Sequence, residues 1–130
     1  MAGKDWKSLT LSKVLDETAE EFPDKEAIVF KDRRITFHEL MEKGVKLAKA
    51  FLKAGIKKDD KIAIMMTNCP EWIYARDAVL RIGAQWVPVN TRYKTFELEY
   101  ILKHAEVNTL VMMDQAVNIN FVELMTTVCP

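Results

Sequence analysis

Residues 61–114 alternate apolar runs of strand length with apolar stripes of helical period, and this alternation constrains the fold more than any other feature. Residues 61–66 are apolar at nearly every position, which indicates a strand buried on both faces. The pattern that follows predicts a helix over 70–82, a strand over 84–89, a helix over 95–104 and a strand over 109–114. Strands joined by helices through short turns predict a parallel sheet with right-handed crossovers.

Local signals mark where the elements begin and end. Asn68 or Cys69 can cap the helix that starts at Pro70, and Gly83 can end it. Thr95 is predicted to cap the following helix. Pro88 lacks the amide hydrogen that a sheet ladder needs, so its strand is expected near an edge of the sheet.

Two helices and a hairpin are predicted ahead of this unit. An apolar stripe with an acidic opposite face predicts a helix over 11–22 that ends at Pro23, and its acidic residues, including Asp16, are expected to face solvent. Residues 27–30 and 34–36 read as the two arms of a hairpin. Thr36 and Glu39 have the spacing of a capping box, and Gly55 can end the helix that follows.

The predicted fold class is therefore α/β: a mostly parallel sheet with flanking helices (βαβαβ), preceded by a helix and a β-hairpin. Residues 1–130 are expected to form a single partial domain without an internal boundary and with a weaker tail over 115–130. The apolar helix expected from about Asn120 stops near Pro130 with no polar tail, which suggests a chain that has been cut from a longer one.

Composition excludes several classes of function. Nineteen basic and nineteen acidic residues give a formal net charge of zero, which argues against a nucleic-acid-coating protein. The four glycines are too far apart for a phosphate-binding loop, and the two cysteines match no zinc or redox spacing. No apolar run is long enough to span a membrane, and residues 1–8 lack the apolar core of a secretory signal. A cytoplasmic protein is expected.

Candidate ligand contacts lie at the carboxyl ends of the strands, where parallel sheets usually bind ligands. Those ends carry Thr67-Asn68, Val89-Asn90-Thr91 and Asp114. The basic row Lys43, Lys46, Lys49 and Lys53 is interpreted as a solvated helix face, with an anion-binding strip as the alternative. Neither histidine has a partner for nucleophilic catalysis, so the sequence assigns no catalytic, cofactor-binding or metal-ligating residue.

Several segments together carry a resemblance to a known family. The first is Ile35-Thr36-Phe37-His38-Glu39-Leu40, and the second is Leu80-Arg81-Ile82-Gly83-Ala84-Gln85-Trp86-Val87-Pro88-Val89-Asn90. In this order they resemble the first two core motifs of the adenylate-forming, or AMP-binding, superfamily. Asn68-Cys69-Pro70-Glu71-Trp72 and the run over 89–100 are similar to medium- and long-chain fatty-acyl-CoA ligases. The match runs in order over residues 9–114.

The resemblance implies a two-step reaction in the complete enzyme. A carboxylate attacks the α-phosphate of ATP and releases pyrophosphate, and the CoA thiol then displaces AMP. ATP, Mg²⁺ and CoA are thus implied for the full-length family member, but no cofactor is expected on this chain. The family's Ser/Thr/Gly-rich loop ending in Pro-Lys has no counterpart here.

Two hypotheses follow. The first is an N-terminal scaffold fragment of an acyl-CoA ligase that is inactive alone. Its partners would be the remainder of the ligase polypeptide and, through exposed former interfaces, other copies of itself. The alternative is a stand-alone small α/β binding module that uses the same fold without catalysis.

Overall fold

The computed structural model describes residues 6–116 and 118–129, with the side chain of Trp6 left out. A 3₁₀ turn over Trp6–Ser8 precedes the regular elements. In chain order these are α1 (Leu11–Glu21), β1 (Glu26–Phe30), β2 (Arg33–Thr36), α2 (Phe37–Lys53), β3 (Lys61–Met65), α3 (Pro70–Arg81), β4 (Gln85–Pro88), α4 (Thr95–His104), β5 (Thr109–Met112), β6 (Gln115–Ala116), β7 (Ile119–Asn120) and α5 (Phe121–Val128). Most of residues 1–8, where the sequence shows no secretory signal, lies outside the described part.

The centre of the fold is a three-stranded parallel sheet in the order β4-β3-β5. The register places Ile62 beside Trp86 on one side and beside Thr109 on the other. The four residues of β3 from Ile62 to Met65 are fully buried, at 0% exposure. The prediction of a strand buried on both faces is therefore confirmed, and Pro88 lies on the outer strand β4, as expected.

Helices cover both faces of this sheet because the side chains of β3 alternate between them. Ile62 and Ile64 pack with residues of α2 and α3, including Phe51 and Val79. Ala63 and Met65 pack on the opposite face with Leu98 of α4 and Phe121 of α5. The result is a three-layer α/β/α arrangement, which confirms the predicted fold class.

The same C-terminal motif ends α2, α3 and α4. In α2, Gly55 adopts a φ of 89°, its N–H donates to Leu52 O, and the Ile56 N–H donates to Phe51 O. These two bonds define a Schellman motif, which satisfies carbonyls that the helix end leaves open. Gly83 and Glu106 take the same left-handed position after α3 and α4, with φ of 72° and 52°. Each helix is thereby turned back toward the next strand.

Replacing Gly55 with alanine tests this motif. A Cβ at Gly55 would meet no atom within 4 Å, so the cost comes from the left-handed backbone and not from a steric clash with another residue. We expect Gly55→Ala to lower the free energy of unfolding by about 1 kcal/mol. The exposed control Lys53→Ala should change it by less than about 0.5 kcal/mol. Urea denaturation of both variants is the measurement, and equal stabilities would contradict the expectation.

The helix starts agree with the predictions in part. Thr36 and Glu39 form the predicted capping box, with the Glu39 N–H donating to Thr36 Oγ1 and the Thr36 N–H donating to Glu39 Oε2. Cys69 is the N-cap of α3, although its side chain makes no capping bond. The prediction for Thr95 is wrong by one residue, because Lys94 is the N-cap and Glu97 accepts its backbone N–H.

The segment ahead of the sheet contains α1 and an antiparallel hairpin of β1 and β2, both as predicted. The expected apolar stripe of α1 is only partly buried, since Leu11 is 68% exposed and Phe22 43%. The solvent-facing assignment of Asp16 is also incomplete. Its carboxylate accepts two hydrogen bonds from Arg81 of α3, so it joins two helices instead of only facing solvent.

The last described segment packs against the sheet. A hairpin of two short strands, β6 and β7 with two residues each, leads into α5. Asn120 caps this helix by accepting the Glu123 N–H. Phe121 is fully buried in the cluster that includes Leu98. Among the described helices, none combines the length and the apolar character that crossing a membrane would require.

Candidate functional site

A groove of about 500 Å³ lies at the carboxyl ends of β3 and β4. The ends of both strands and the start of α3 form it. Its lining residues are Met66, Thr67, Asn68, Trp72, Pro88, Val89, Asn90, Thr91 and Tyr93. Parallel strands bring their carboxyl ends to one edge of a sheet, so residues from two separate turns meet there.

The predicted ligand contacts come together only in part. Thr67 and Asn68 lie beside Asn90 and Thr91 in the groove, as the sequence predicted. Asp114 is not among the lining residues; it lies past the end of β5, on the opposite side of β3, and its Oδ1 accepts the Gln115 N–H at 2.8 Å. The groove therefore includes two of the three predicted strand ends.

Hydrogen bonds to side chains and to the backbone hold the two groove turns in place. Asn90 Oδ1 accepts the Arg92 N–H at 2.9 Å, and Asn90 O accepts the Tyr93 N–H at 3.2 Å. The first bond forms an Asx turn, in which the side-chain carbonyl replaces a backbone acceptor, and the second closes a β-turn. On the other turn, both the N–H and the hydroxyl of Thr67 point to Met113 Sδ, at 3.5 and 3.6 Å. Met113 thus fixes the turn after β3 from the side of β5.

Trp72 of α3 lines the groove and packs against Trp86 of β4. The rings of Trp72 and Trp86 meet edge to face, with centroids 5.2 Å apart. This geometry suits the charge distribution of aromatic rings and stabilises the contact between α3 and β4. The Trp86 Nε1–H is buried and has no hydrogen-bond partner among the described residues. Both tryptophans are partly buried and pack against the core cluster that contains Ile62 and Ile64.

An ion pair next to the groove ties the hairpin to the start of α3. Arg33 Nη1 lies 2.8 Å from Glu71 Oε1. Burial pushes the pKa of the Glu71 carboxyl upward, but the hydrogen bond from its own backbone N–H and the pair with Arg33 outweigh burial. The pKa of Glu71 therefore lies below its ordinary value of 4.5. Burial also raises the pKa of the neighbouring Tyr74 phenol.

This lowered pKa predicts a pH-dependent contribution of Glu71 to stability. Because the folded-state pKa lies below the unfolded one, the contribution is present above about pH 4.5 and is lost as the pH falls through the folded-state value. We expect Glu71→Gln to be less stable than the parent at pH 7, with a difference that shrinks toward pH 3. Arg33→Met should also weaken the pH dependence of stability, because Glu71 then loses the cation that helps to lower its pKa. Urea unfolding at several pH values tests this, and a constant difference would contradict it.

The groove offers neutral polar groups and aromatic surface. Its lining includes hydroxyl, amide, indole and phenol groups, but none of the residues described there is Asp, Glu, Lys, Arg or His. Such groups can bind a polar ligand or a chain segment by hydrogen bonds and stacking. Transfer of a phosphoryl-linked group needs cationic donors for the developing charge, and this lining supplies none.

The residues present do not fit ATP with Mg²⁺. Within residues 6–116 and 118–129, no three His, Cys, Asp or Glu side chains form a group that could hold a metal ion. Among the described glycines, Gly55 and Gly83 have positive φ; they end α2 and α3, which places them at the opposite edge of the sheet from the groove. The helix face with Lys43, Lys46 and Lys49 is likewise separate from the groove and is exposed, as expected of a solvated face. The anion-binding alternative for it stays untested.

Comparison with known proteins identifies the family. A family model for AMP-binding enzymes matches residues 15–128. The long-chain-fatty-acid–CoA ligase of Bacillus subtilis is 40% identical over 106 residues, which cover 81% of this chain and 19% of that protein. The mitochondrial medium-chain acyl-CoA ligase of Pongo abelii is 33% identical over 129 residues, or 98% of this chain and 21% of that protein. The chain thus spans about a fifth of the length of these relatives.

Solved structures show the same relationship. The N-terminal subdomain of Klebsiella oxytoca NpsA in complex with anthranilyl-AMSN matches with a TM-score of 0.78 and 32% identity, over 80% of this chain and 27% of that one. A protein of Rhodopseudomonas palustris CGA009 matches with a TM-score of 0.83 and 29% identity, over 94% and 30%. The chain therefore belongs to the AMP-binding enzyme family of adenylate-forming enzymes and corresponds to the N-terminal part of acyl-CoA ligases.

Proposed function

We propose that this chain is the scaffold part of an ATP-dependent fatty-acyl-CoA ligase and does not catalyse adenylation by itself. The observation that carries the proposal is the chemistry of the groove at the carboxyl ends of β3 and β4. Its described lining offers only uncharged side chains. Adenylation needs cationic donors and a metal ion to stabilise charge on the phosphates. The donors and the ligands of the metal ion would come from the remainder of the ligase polypeptide.

The complete enzyme would carry out two chemical steps. The carboxylate oxygen of a fatty acid attacks the α-phosphate of ATP, which forms an acyl-adenylate and releases pyrophosphate. The CoA thiol then attacks the acyl carbon, which forms the thioester and releases AMP. This chain would contribute one wall of a cleft, formed by the turns at Thr67 and Asn90 that internal hydrogen bonds already hold in place.

This chain would also contact the remainder of the ligase polypeptide. Phe96 and Tyr100 lie on the outer side of α4 and are 80% and 59% exposed. Exposed aromatic side chains on one helix face favour a contact surface, and self-association of the isolated chain through such surfaces is part of the proposal. We also propose a cytoplasmic location, since the complete ligase would use ATP and CoA as cosubstrates.

A stand-alone binding module is the second candidate. The observation that favours it is the core, because helices cover both faces of the sheet and Phe121 is fully buried. A stable monomer that binds little hydrophobic dye would support this candidate. Concentration-dependent association in sedimentation experiments would support the scaffold instead.

The experiment that tests the scaffold proposal is ATP–pyrophosphate exchange by the purified chain in the presence of Mg²⁺ and a fatty acid. We expect no exchange above the background without protein.

A further inference from the structure

A second cavity, of about 250 Å³, lies where α1, α2 and α3 meet. Its walls are mostly apolar, and one guanidinium lines it. The lining residues are Leu11, Val14, Leu15, Thr18, Phe37, Leu40, Ile73, Arg76, Asp77 and Leu80. For comparison, an apolar protein cavity of about 150 Å³ is large enough to bind benzene.

Arg76 is the unusual group in this cavity. Its side chain is half-buried, and its Nε–H is buried without a hydrogen-bond partner among the described residues. The guanidinium carbon lies 5.9 Å from the ring centroid of Trp72, a contact that attracts the cation but accepts no conventional hydrogen bond from Nε. Buried donors in proteins are nearly always satisfied, so this one calls for an acceptor from outside the described chain.

Asp77, the other charged residue that lines this cavity, is already paired. Arg81 Nε donates to Asp77 Oδ2 at 2.6 Å, and the Arg81 Nη atoms donate to Asp16. The Asp77 carboxylate lines the same cavity and opposes an incoming anion, but Arg81 neutralises it. Arg76 is thus left as the cation to which an incoming carboxylate can bind.

We propose that this cavity binds an alkyl carboxylate, with the carboxylate on Arg76 and the alkyl chain along the apolar walls. A guanidinium binds a carboxylate by charge-assisted hydrogen bonds, which strengthen where water is excluded. The apolar walls, including Leu15 and Ile73, remove the alkyl chain from water. The site is separate from the groove at the carboxyl ends of β3 and β4, and it does not depend on the proposed ligase function.

The test is a titration of the ¹⁵N-labelled 130-residue chain with sodium octanoate and, separately, with 1-octanol, followed by amide chemical shifts. We expect octanoate to shift the amides of α1 and α3 around the cavity and to bind at least about tenfold more tightly than the neutral alcohol. Arg76→Met should abolish this preference and keep the alcohol's affinity. Arg92→Met, an exposed arginine outside the cavity, serves as the control and should leave both affinities unchanged.

Three results would overturn the proposal. Octanoate could leave the amides of α1 and α3 unshifted, or shift those of another surface instead. Octanol could bind as tightly as octanoate to the parent chain, which would remove the role of the charge. Arg76→Met could retain the preference for octanoate. The first two comparisons use the parent chain alone, so they decide the question even where the Arg76 variant does not fold.

Discussion

Replacing Arg81 with methionine is expected to lower the free energy of unfolding by about 3–5 kcal/mol. The Arg81 side chain is only 12% exposed and donates to Asp77, whose side chain is 5% exposed, and to both oxygens of Asp16. Burial pulls the pKa of Arg81 down, but its hydrogen bonds to Asp16 and Asp77 outweigh burial and raise it. Removing the cation leaves the Asp77 carboxylate buried without a counter-ion.

The exposed pair of Arg33 and Glu71 provides the matched control. Both of its side chains are about half exposed, at 49% and 51%. Solvent screens such pairs, so Arg33→Met should cost no more than about 1 kcal/mol. Urea denaturation at pH 7 measures both variants. An Arg81→Met chain within about 1 kcal/mol of the parent would show that the network does not hold α1 against α3.

Gly44→Ala is expected to destabilise the chain by about 2–4 kcal/mol, although alanine favours helices over glycine by about 1 kcal/mol. Gly44 is buried in the middle of α2, against α3. A Cβ there would lie 1.9 Å from Asp77 Oδ2 and 2.9 Å from Asp77 Cγ. Asp77 cannot simply turn away, because its carboxylate is bonded to Arg81 at 2.6 Å. Either the two helices separate or the buried ion pair breaks.

Two further variants separate this clash from backbone effects. Ala50→Gly, at an exposed position of the same helix, measures the propensity term alone and should cost about 1 kcal/mol. Asp77→Ala removes the atoms that alanine at position 44 would meet. We therefore expect the Gly44→Ala/Asp77→Ala double variant to lose less stability than the sum of the two single losses, by at least about 1 kcal/mol. Strict additivity would mean that the two sites do not meet.

Signals that act within a few residues were readable from the sequence. The Thr36 and Glu39 spacing predicted a capping box, and Gly55 predicted the left-handed end of α2, because both motifs depend on neighbours in the chain. The continuous apolar run of β3 predicted burial on both faces for the same reason. The prediction at Thr95 was wrong by one residue because the N-cap side chain was expected to be the capping group. Instead Lys94 is the N-cap, and the Glu97 side chain accepts its backbone N–H.

Long-range pairing was not readable. Asp16 and Arg81 lie 65 positions apart, and nothing in the acidic face of α1 distinguishes Asp16 from its solvent-facing neighbours. Only the packing of α1 on α3 brings the two side chains together. The close approach of Gly44 to Asp77 likewise depends on how α2 and α3 pack against each other, and not on neighbouring residues in the sequence.

The groove, too, was predictable from the sequence only in part. The rule that parallel sheets bind ligands at the carboxyl ends of their strands correctly grouped Thr67 and Asn68 with Asn90 and Thr91. It also suggested Asp114, which the structure places on the far side of β3, because the rule gives the edge of the sheet but not the order of its strands. The cavity beside Arg76 had no local signal, since three helices distant in sequence form it.

The measurement that tests the central claim most directly is ATP–pyrophosphate exchange with labelled pyrophosphate, Mg²⁺ and a fatty acid. The purified 130-residue chain is compared with the Bacillus subtilis long-chain-fatty-acid–CoA ligase as the active reference. We expect exchange by the reference and none by the chain, because the described lining of the groove offers no cationic donor for the nucleotide phosphates. Exchange by the chain that follows its concentration and survives further purification would contradict the scaffold assignment.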